Sequence, residues 1–227
     1  MTYLQGKIGF NRKWTVADIG SGTGILSELF LKNGNKVFCV EPNGDMRQVA
    51  EKNLEKYGTL FISVDGTAEA TKLKPGSVDL IVAGQALHWF DLHGARSEFG
   101  RILRKNGRVA IIYNHRKKGG RLEAAYDRVV EKHRRNRPPI PDANDTYISK
   151  FLGVRRHDKL VLSNSQDLDL DGILGRLASA SYMPARGTQR WSAIERDARK
   201  IVEKYGSDGV VKLRYNTTVY LGRIARR

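Results

Sequence analysis

The hydrophobic positions in the first half of the chain form short continuous runs, separated by segments with helical spacing. The runs predict five strands buried on both faces, because each is apolar almost throughout rather than at alternate positions. They cover residues 15–19, 36–40, 60–64, 77–84 and 108–114. The spacing between them predicts helices over residues 24–33, 43–57 and 92–104. Helices that connect consecutive strands imply a parallel sheet with both faces covered.

Individual residues predict the buried sides and the ends of these helices. The first is predicted to place one apolar side against the core, and Asn43 is predicted to cap the second. The apolar side of the first consists of Ile25, Leu26, Leu29 and Phe30, and the second carries Met46, Val49, Ala50 and Leu54. The pair Asn106–Gly107 is predicted to end the third helix before the fifth strand.

The second half is predicted to be mostly helical. A basic helix over about 121–135 meets the Pro-rich stretch 136–145, which cannot continue it. A short strand, a helix capped near Asp169 or Asp171, a turn at Pro184 and a charged helix over about 192–205 follow. Residues 209–224 alternate in polarity, which predicts a closing strand antiparallel to its neighbours.

These elements predict an α/β fold with a mostly parallel, doubly wound sheet, an antiparallel last strand and an α-rich insertion after the fifth strand. We expect one domain over 1–227, with a core of about 15–113 and 207–223 and an insertion of about 114–206. No apolar run approaches the ~20 residues of a membrane span, and residues 1–14 lack the apolar region of a signal peptide. We therefore expect a cytoplasmic protein without a transmembrane segment.

The single cysteine and the net charge limit the chemistry. Cys39 excludes an internal disulfide and a cysteine-based zinc cluster, and its apolar neighbours predict a small core residue. The net charge is +16, and thirteen Lys and Arg residues lie between Arg101 and Arg137. Such an excess attracts anionic partners, although a solvated basic surface accounts for it equally well. The oligomeric state is left open.

Three glycines at alternate positions follow the first strand, in the order Asp18-x-Gly20-x-Gly22-x-Gly24. A dinucleotide-binding turn would need a third glycine where Ile25 stands. The pattern instead resembles the first motif of class I, Rossmann-like S-adenosylmethionine-dependent methyltransferases of the type-11 family. The stretches at 64–91 and 98–116 resemble further motifs of these enzymes. The resemblance implies S-adenosylmethionine as cofactor and methyl transfer to a small-molecule acceptor.

The resemblance also implies positions for the cofactor. Glu41 ends the second strand, where a carboxylate can accept both ribose hydroxyls. Adenine contacts are expected from Thr67 and the Ala68 backbone with Glu69 nearby, and the methionine end is expected against Asp18, Gly20, Gln85 and Ala86. The remaining expected cofactor-binding residues are Ser21, Gly22, Thr23, Gly24, Pro42 and Met46.

Candidates for catalysis and substrate binding follow the fourth and fifth strands. His88 is a candidate general base because its ordinary pKa of ~6.5 suits proton transfer; a structural role in the pocket wall is the alternative. Trp89, Tyr113 and Tyr182 are predicted to line a substrate pocket, which is expected to be mostly apolar with few polar anchors. Arg116 and Arg186 are candidates to bind an anionic group of the acceptor. The other histidines show no metal-binding spacing, so no metal is predicted.

The sequence departs from the family at two places. Relatives carry Asp at the position of Thr67, whereas Asp65 stands two residues earlier here. About fourteen residues precede the first strand, where relatives often carry a helical segment that folds over the cofactor. Either the chain is a truncated or shortened form with a more open site, or another element closes the site.

Three other classes of protein share features with this sequence. A nucleic-acid methyltransferase fits the charge, but the sequence after the fourth strand lacks the Pro-Pro-Tyr type of motif and the basic helix lacks interleaved aromatics beyond Tyr126. A cofactor-binding module without turnover fits the short N-terminal segment. A nicotinamide dehydrogenase is disfavoured by Ile25 and by the absence of a Tyr-x-x-x-Lys pair.

Overall fold

The computed structural model describes residues 1–135, 144–180 and 182–225. They form a seven-stranded sheet with helices around it. The strands are β1 Thr15–Ile19, β2 Lys36–Val40, β3 Phe61–Val64, β4 Val78–Gly84, β5 Leu103–Arg116, β6 Asp158–Leu168 and β7 Val211–Gly222. The helices are α1 Thr2–Ile8, α2 Ile25–Lys32, α3 Gly44–Leu54, α4 Leu92–Ile102, α5 Arg121–His133, α6 Asp145–Leu152, α7 Leu170–Ala178 and α8 Gln189–Tyr205, with 3₁₀ turns at Glu55–Leu60 and Leu87–Trp89.

The strand order is β3-β2-β1-β4-β5-β7-β6. The first five strands pair in parallel, and β7 lies between β5 and β6 and runs antiparallel to both. The strand order reverses between β1 and β4, because β2 and β3 lie on one side of β1 and β4 and β5 lie on the other. Open α/β sheets bind ligands at the carboxyl ends of the strands at such a switch point. The predicted fold class is confirmed.

The first of two compact units comprises Met1–Tyr113 with the described parts of Pro141–Leu160 and Val219–Arg227. Its core lies on both faces of the sheet, because alternate strand residues point to opposite sides. Ala17, Ile81 and Ile111 belong to one apolar cluster, and Val16 and Leu80 belong to the other. This unit contains every residue that the sequence assigns to the cofactor.

The second unit comprises the described parts of Asn114–Ile140 and Val161–Thr218. It holds α5, α7 and α8, and its own apolar core includes Tyr126, Leu177, Trp191 and Tyr215. Its start at Asn114 coincides with the predicted start of the insertion. The prediction of one domain over the whole chain stays a prediction.

The predicted apolar side of α2 is right for the buried Phe30 and the partly buried Leu26 but wrong for Ile25 and Leu29. Ser27, Phe30 and Leu31 are buried there, whereas Ile25 is 80% exposed and Leu29 is 54% exposed. The Ser27 hydroxyl donates to the Asp18 carboxylate at 2.6 Å, which ties this side of the helix to β1. The buried side of α2 is rotated by about one residue relative to the predicted side, because a buried hydrogen bond as well as side-chain apolarity orients the helix.

The predicted helix end at Asn106–Gly107 is also wrong. Helix α4 ends at Ile102, and Leu103 already pairs with Val78 of β4. The next pair joins Leu80 to Arg108, so the residues between Leu103 and Arg108 form an irregularity within the strand. An Asn–Gly pair accommodates a bulge as readily as a helix end, and sheet pairing decides between the two.

Two short helices were not predicted. Helix α1 buries Leu4 in the core of the first unit, and α6 buries Ile148, Phe151 and Leu152 there. Most of the predicted Pro-rich loop, residues 136–143, lies outside the described residues. In the described part of the chain, no helix combines the length and the apolarity that a membrane crossing requires.

Candidate cofactor site

The carboxyl ends of β1, β2 and β4 meet at one edge of the first unit. The backbone N–H groups of Gly20 and Ser21 donate to the Val40 carbonyl of β2, at 2.9 and 3.2 Å. After β4, the Gln85 N–H donates to the Ile112 carbonyl of β5 at 2.9 Å. The glycine-rich loop, Glu41 and Gln85–Ala86, which the sequence places at separate points of the chain, are therefore brought to one edge.

All three loop glycines have left-handed backbone, with φ of +69° at Gly20, +56° at Gly22 and +84° at Gly24. A Cβ on Gly20 would lie 2.7 Å from the Ala86 Cβ, and one on Gly24 would lie 2.5 Å from Leu54 Cδ1. A Cβ on Gly22 would meet only the Met46 sulfur, at 4.0 Å. Gly20 and Gly24 thus permit close packing within the protein, whereas Gly22 presents its backbone to a ligand.

This difference predicts separate effects for two substitutions. Gly22→Ala is expected to cost about 1–2 kcal/mol of stability from its positive φ and to weaken cofactor binding about tenfold or more, because the methyl group points to the ligand side. Gly20→Ala is expected to cost roughly 2–4 kcal/mol, because it adds a collision with Ala86 to the same strain. Urea unfolding and calorimetric titration measure both, and equal binding by Gly22→Ala and the wild type would contradict the assignment.

Glu41 connects the glycine loop to helix α3. Its Oε2 accepts from the Gly22 N–H and its Oε1 accepts from the Asn43 N–H, both at 2.9 Å. The residue is 7% exposed. Asn43 in turn caps α3 by accepting from the Met46 N–H at 3.1 Å, as predicted. A carboxylate has about four acceptor positions, so Glu41 can order this loop and still accept ribose hydroxyls.

Asp18 is buried beneath the loop, with 1% of its surface exposed. Its Oδ2 accepts from the Ser27 hydroxyl, while its Oδ1 has no donor among the described residues. Burial raises the pKa of this carboxyl to about 7, against the hydrogen bond from Ser27 that favours the ionised form. An acid held in this way suits a cationic partner, which would supply the missing counter-charge.

The Thr67–Glu69 segment after β3 is held by its own hydrogen bonds. The Thr67 hydroxyl accepts from the Ala70 N–H at 3.2 Å, and Ala68 is buried. The Glu69 carboxylate accepts from the Asp91 N–H at 2.8 Å, which fixes the turn that starts α4. Asp65 is exposed and pairs with Arg47 and Lys72. Glu69 therefore positions a loop, and its predicted contact with adenine stays a prediction.

The segment after β4 carries strain and an unusual histidine. Gln85 is a non-glycine residue with φ of +56°, a conformation that is costly and concentrates at functional sites. His88 is half-buried, burial lowers its pKa, and its Nδ1 is buried without a hydrogen-bond partner among the described residues. The His88 ring lies 5.1 Å from the Trp89 ring and 6.4 Å from the Tyr113 ring.

The predicted substrate-binding residues fall in both units. Trp89 is 62% exposed and Tyr113 is buried, both in the first unit. Tyr182 and the two candidate arginines belong to the second unit. Arg116 donates twice to Asp127, and the exposed Arg186 lies over the Trp191 ring at 5.7 Å. Their roles stay predictions.

Three residues support the site in ways that no sequence pattern indicates. Cys39 donates its thiol to the Ser27 hydroxyl at 3.0 Å, and Ser27 donates to Asp18. Burial raises the pKa of this thiol to about 12, so it remains a donor at neutral pH. Arg47 donates to the Glu41 and Pro42 carbonyls at 2.9 and 3.0 Å and so fixes the turn between β2 and α3. Such links depend on three-dimensional proximity, so no spacing rule would reveal them.

The site fits S-adenosylmethionine on its own chemistry. The Ser21 hydroxyl and Asp18 Oδ1 are buried without a hydrogen-bond partner among the described residues, and the Cα of Gly22 borders open space. A carboxylate that can face a cationic sulfonium is therefore grouped with oxygen atoms that can accept from an ammonium and from ribose hydroxyls. The adjoining glycine loop permits the ligand to approach closely. The described residues show no cluster of three metal-ligating side chains.

The fold and the position of this site are similar to those of class I, Rossmann-like methyltransferases. Residues 17–111 match the family model described as "Methyltransferase domain". A solved structure described as a putative type II methyltransferase from Anaeromyxobacter dehalogenans aligns with a TM-score of 0.63 at 22% identity, over 94% of this chain and 91% of that one. The predicted family resemblance is confirmed.

Curated relatives match part of the chain. An uncharacterized methyltransferase of Mycobacterium tuberculosis is 37% identical over 101 residues, which are 44% of this chain and 40% of that protein. A probable S-adenosylmethionine-dependent methyltransferase of Saccharomyces cerevisiae is 28% identical over 103 residues, 44% of this chain and 35% of that protein. The chain thus spans less than half the length of these relatives. The matches support the predicted enzyme class and S-adenosylmethionine as its cofactor.

Proposed function

We propose that this chain is an S-adenosylmethionine-dependent methyltransferase that acts on a small-molecule acceptor by in-line transfer. The observation that carries the proposal is the grouping of Gly22, Glu41 and Asp18 at the carboxyl ends of β1 and β2. Gly22 offers backbone, Glu41 offers acceptors for a ribose, and Asp18 offers a buried carboxylate oxygen without a donor. The family match over residues 17–111 supports it.

Each residue has a separate part in binding. Glu41 holds the loop and accepts the ribose hydroxyls, and the Thr67–Ala68 segment borders the adenine. Asp18, Ser21 and the Gln85–Ala86 backbone face the methionine end. When bound, the cofactor supplies an electrophilic methyl group on its sulfonium. The protein contributes mainly position, which accelerates reactions by effective molarities of up to roughly 10⁵–10⁸ M.

His88 is the proposed general base for an acceptor that must lose a proton. Burial lowers its pKa below the ordinary value of 6.5, so the imidazole is neutral at physiological pH and can accept a proton. The Nδ1 atom has no partner among the described residues, which leaves this nitrogen available for such an exchange.

Calorimetric titration with S-adenosylmethionine and its demethylated product tests the proposal, with NAD as the control ligand. We expect micromolar binding of both sulfur compounds and none of NAD, followed by transfer of a labelled methyl group in a screen of small-molecule acceptors. Tight binding without transfer to any small acceptor would favour a binding module. Transfer only to RNA, with binding that weakens steeply with salt, would favour the nucleic-acid alternative. Absence of cofactor binding by the folded chain would refute the proposal.

The role of His88 predicts a distinct pH profile. In wild type, kcat for an acceptor that must lose a proton is expected to rise with pH, with the midpoint of the rise below the ordinary histidine pKa of 6.5, and then to level off. His88→Gln is expected to lose this rise and to reduce kcat by roughly 10²–10⁴, with an unchanged cofactor Kd. His93→Gln, an exposed neighbour on α4, is the control. A His88→Gln enzyme with the wild-type profile would leave only the structural role.

A further inference from the structure

A tyrosine and an arginine in the second unit carry buried donors without acceptors. Tyr215 of β7 is 1% exposed, and its hydroxyl has no hydrogen-bond partner among the described residues. Arg176 of α7 lies over the Tyr215 ring, with its guanidinium carbon 4.5 Å from the ring centroid. Arg176 Nη1 donates to Gln166 at 3.1 Å, but the Arg176 Nε is buried without an acceptor among the described residues. Two unmet donors therefore occur on directly stacked side chains.

A second arginine and tyrosine lie beside this pair. The Arg116 guanidinium is 4.8 Å from the centroid of the Tyr126 ring, and its Nε and Nη2 both donate to Asp127 Oδ1. Burial raises the pKa of Tyr126 to about 12, and both Arg116 and Arg176 oppose that rise. Burial likewise raises the pKa of Tyr215 against the same two arginines. Tyr126 and Tyr215 belong to the same apolar core, and each carries one stacked arginine. We call Arg116, Arg176, Tyr126 and Tyr215 the Arg–Tyr cluster.

The charge of the cluster is not fully balanced. Asp127 offsets one of the two arginines, and Glu123 is already paired with Arg214 through bonds of 2.8 and 3.1 Å. Among the described residues no carboxylate forms an ion pair with Arg176, so its positive charge lies beside the Tyr215 ring without a paired anion.

Stacking alone does not explain why the Tyr215 hydroxyl and the Arg176 Nε are buried without acceptors among the described residues. A guanidinium over an aromatic ring is favourable with phenylalanine as well as tyrosine, so stacking explains the rings but not the buried hydroxyl. Leaving a buried donor unsatisfied costs about 1–3 kcal/mol, and native proteins rarely retain such groups without a reason. An acceptor that carries negative charge would satisfy the Tyr215 hydroxyl, the Arg176 Nε and the residual charge together.

We infer that the Arg–Tyr cluster binds the oxyanion of a small organic molecule, a carboxylate or a phosphate, through the Tyr215 hydroxyl and the Arg176 guanidinium. Arg116 is held by Asp127 and supports the positive field. The site lies wholly in the second unit and does not depend on the proposed methyl transfer, because its binding can be measured without the cofactor.

Titration of the whole chain with inorganic phosphate and, separately, with succinate tests the inference, at constant ionic strength set with chloride. We expect saturable binding of one of them, seen by calorimetry and as a rise in Tm with ligand concentration. Arg176→Gln is expected to weaken this binding about tenfold or more, and Tyr215→Phe about three- to tenfold, as expected for lost charge-assisted hydrogen bonds. The better ligand of the two identifies the anionic group.

Two control variants in the same unit separate this site from general charge. Arg196→Gln removes an exposed arginine of α8, and Tyr205→Phe removes the hydroxyl of a tyrosine at the end of the same helix. Both are expected to bind like wild type. In the absence of ligand, Tyr215→Phe is expected to be at least as stable as wild type, which keeps the test valid if Arg176→Gln unfolds. Saturable binding by neither anion, equal loss in the controls, or a destabilised Tyr215→Phe would overturn the inference.

Discussion

Asparagine in place of Asp18 is expected to stabilise the protein above pH 7 while it weakens cofactor binding. The folded pKa of Asp18 is raised to about 7 from an ordinary 3.8, so the folded state retains a proton that the unfolded state has released. The contribution of Asp18 to stability is therefore present at low pH and is lost as the pH rises from about 4 to 7. A shift of about three units corresponds to roughly 4 kcal/mol as an upper limit.

Urea unfolding of wild type and Asp18→Asn at pH 5, 6.5 and 8 measures this effect. The advantage of the variant is expected to grow with pH and to be largest at pH 8, since asparagine keeps an oxygen for the Ser27 hydroxyl but carries no charge. Calorimetry is expected to show cofactor binding weakened by about tenfold or more, because the charge opposite the cationic ligand is lost. Asp79→Asn is the matched control on β4: its carboxylate binds the Thr15 N–H and Arg104. It should lower stability and leave cofactor affinity unchanged. A constant stability difference across this pH range would contradict the assignment.

Alanine in place of Glu41 is expected to have the largest effect on cofactor affinity. The carboxylate accepts from the Gly22 and Asn43 N–H groups, and its removal leaves both donors unmet in a part-buried site, at about 1–3 kcal/mol each. The ribose hydroxyls lose their acceptor in the same step. We expect cofactor affinity to fall about a hundredfold or more, with a loss of stability of roughly 2–4 kcal/mol.

Glu41→Gln separates the two contributions. The amide keeps one oxygen that can accept from either Gly22 or Asn43, so most of the stability should return while cofactor affinity stays reduced. Glu51→Ala is the control on α3, because its exposed carboxylate accepts only from Ser63. Titration at a temperature where every variant is folded removes the effect of stability on the measurement. Cofactor affinity of Glu41→Ala within threefold of wild type would show that the carboxylate only orders the loop.

Both units contain buried polar atoms without a hydrogen-bond partner among the described residues. Asp18 carries an acceptor without a donor, and Tyr215 and Arg176 carry donors without an acceptor. The first site therefore favours a cation and the second favours an anion. Burying such an atom without a partner costs free energy of folding, and a ligand that supplies the missing donor or acceptor would offset that cost on binding.

The sequence by itself determined the parallel strands and the switch point between them. Strands β1 and β2 begin and end where their apolar runs do, because a strand buried on both faces needs a continuous run. It also determined the glycine loop and the position of Glu41, since both lie at the ends of such strands. The cap residues Asn43 and Asp169 were predictable because a cap depends on a few adjacent residues.

Only the tertiary structure decided which side of α2 is buried, and that the Asn106–Gly107 stretch lies within a strand. It also decided that Arg176 stacks on the buried ring of Tyr215. The pKa of Asp18 depends on burial and on Ser27, which no local pattern encodes. The physical reason is common to all of these: strand runs, caps and turns depend on neighbouring residues, whereas burial, charge balance and stacking depend on residues far apart in the chain.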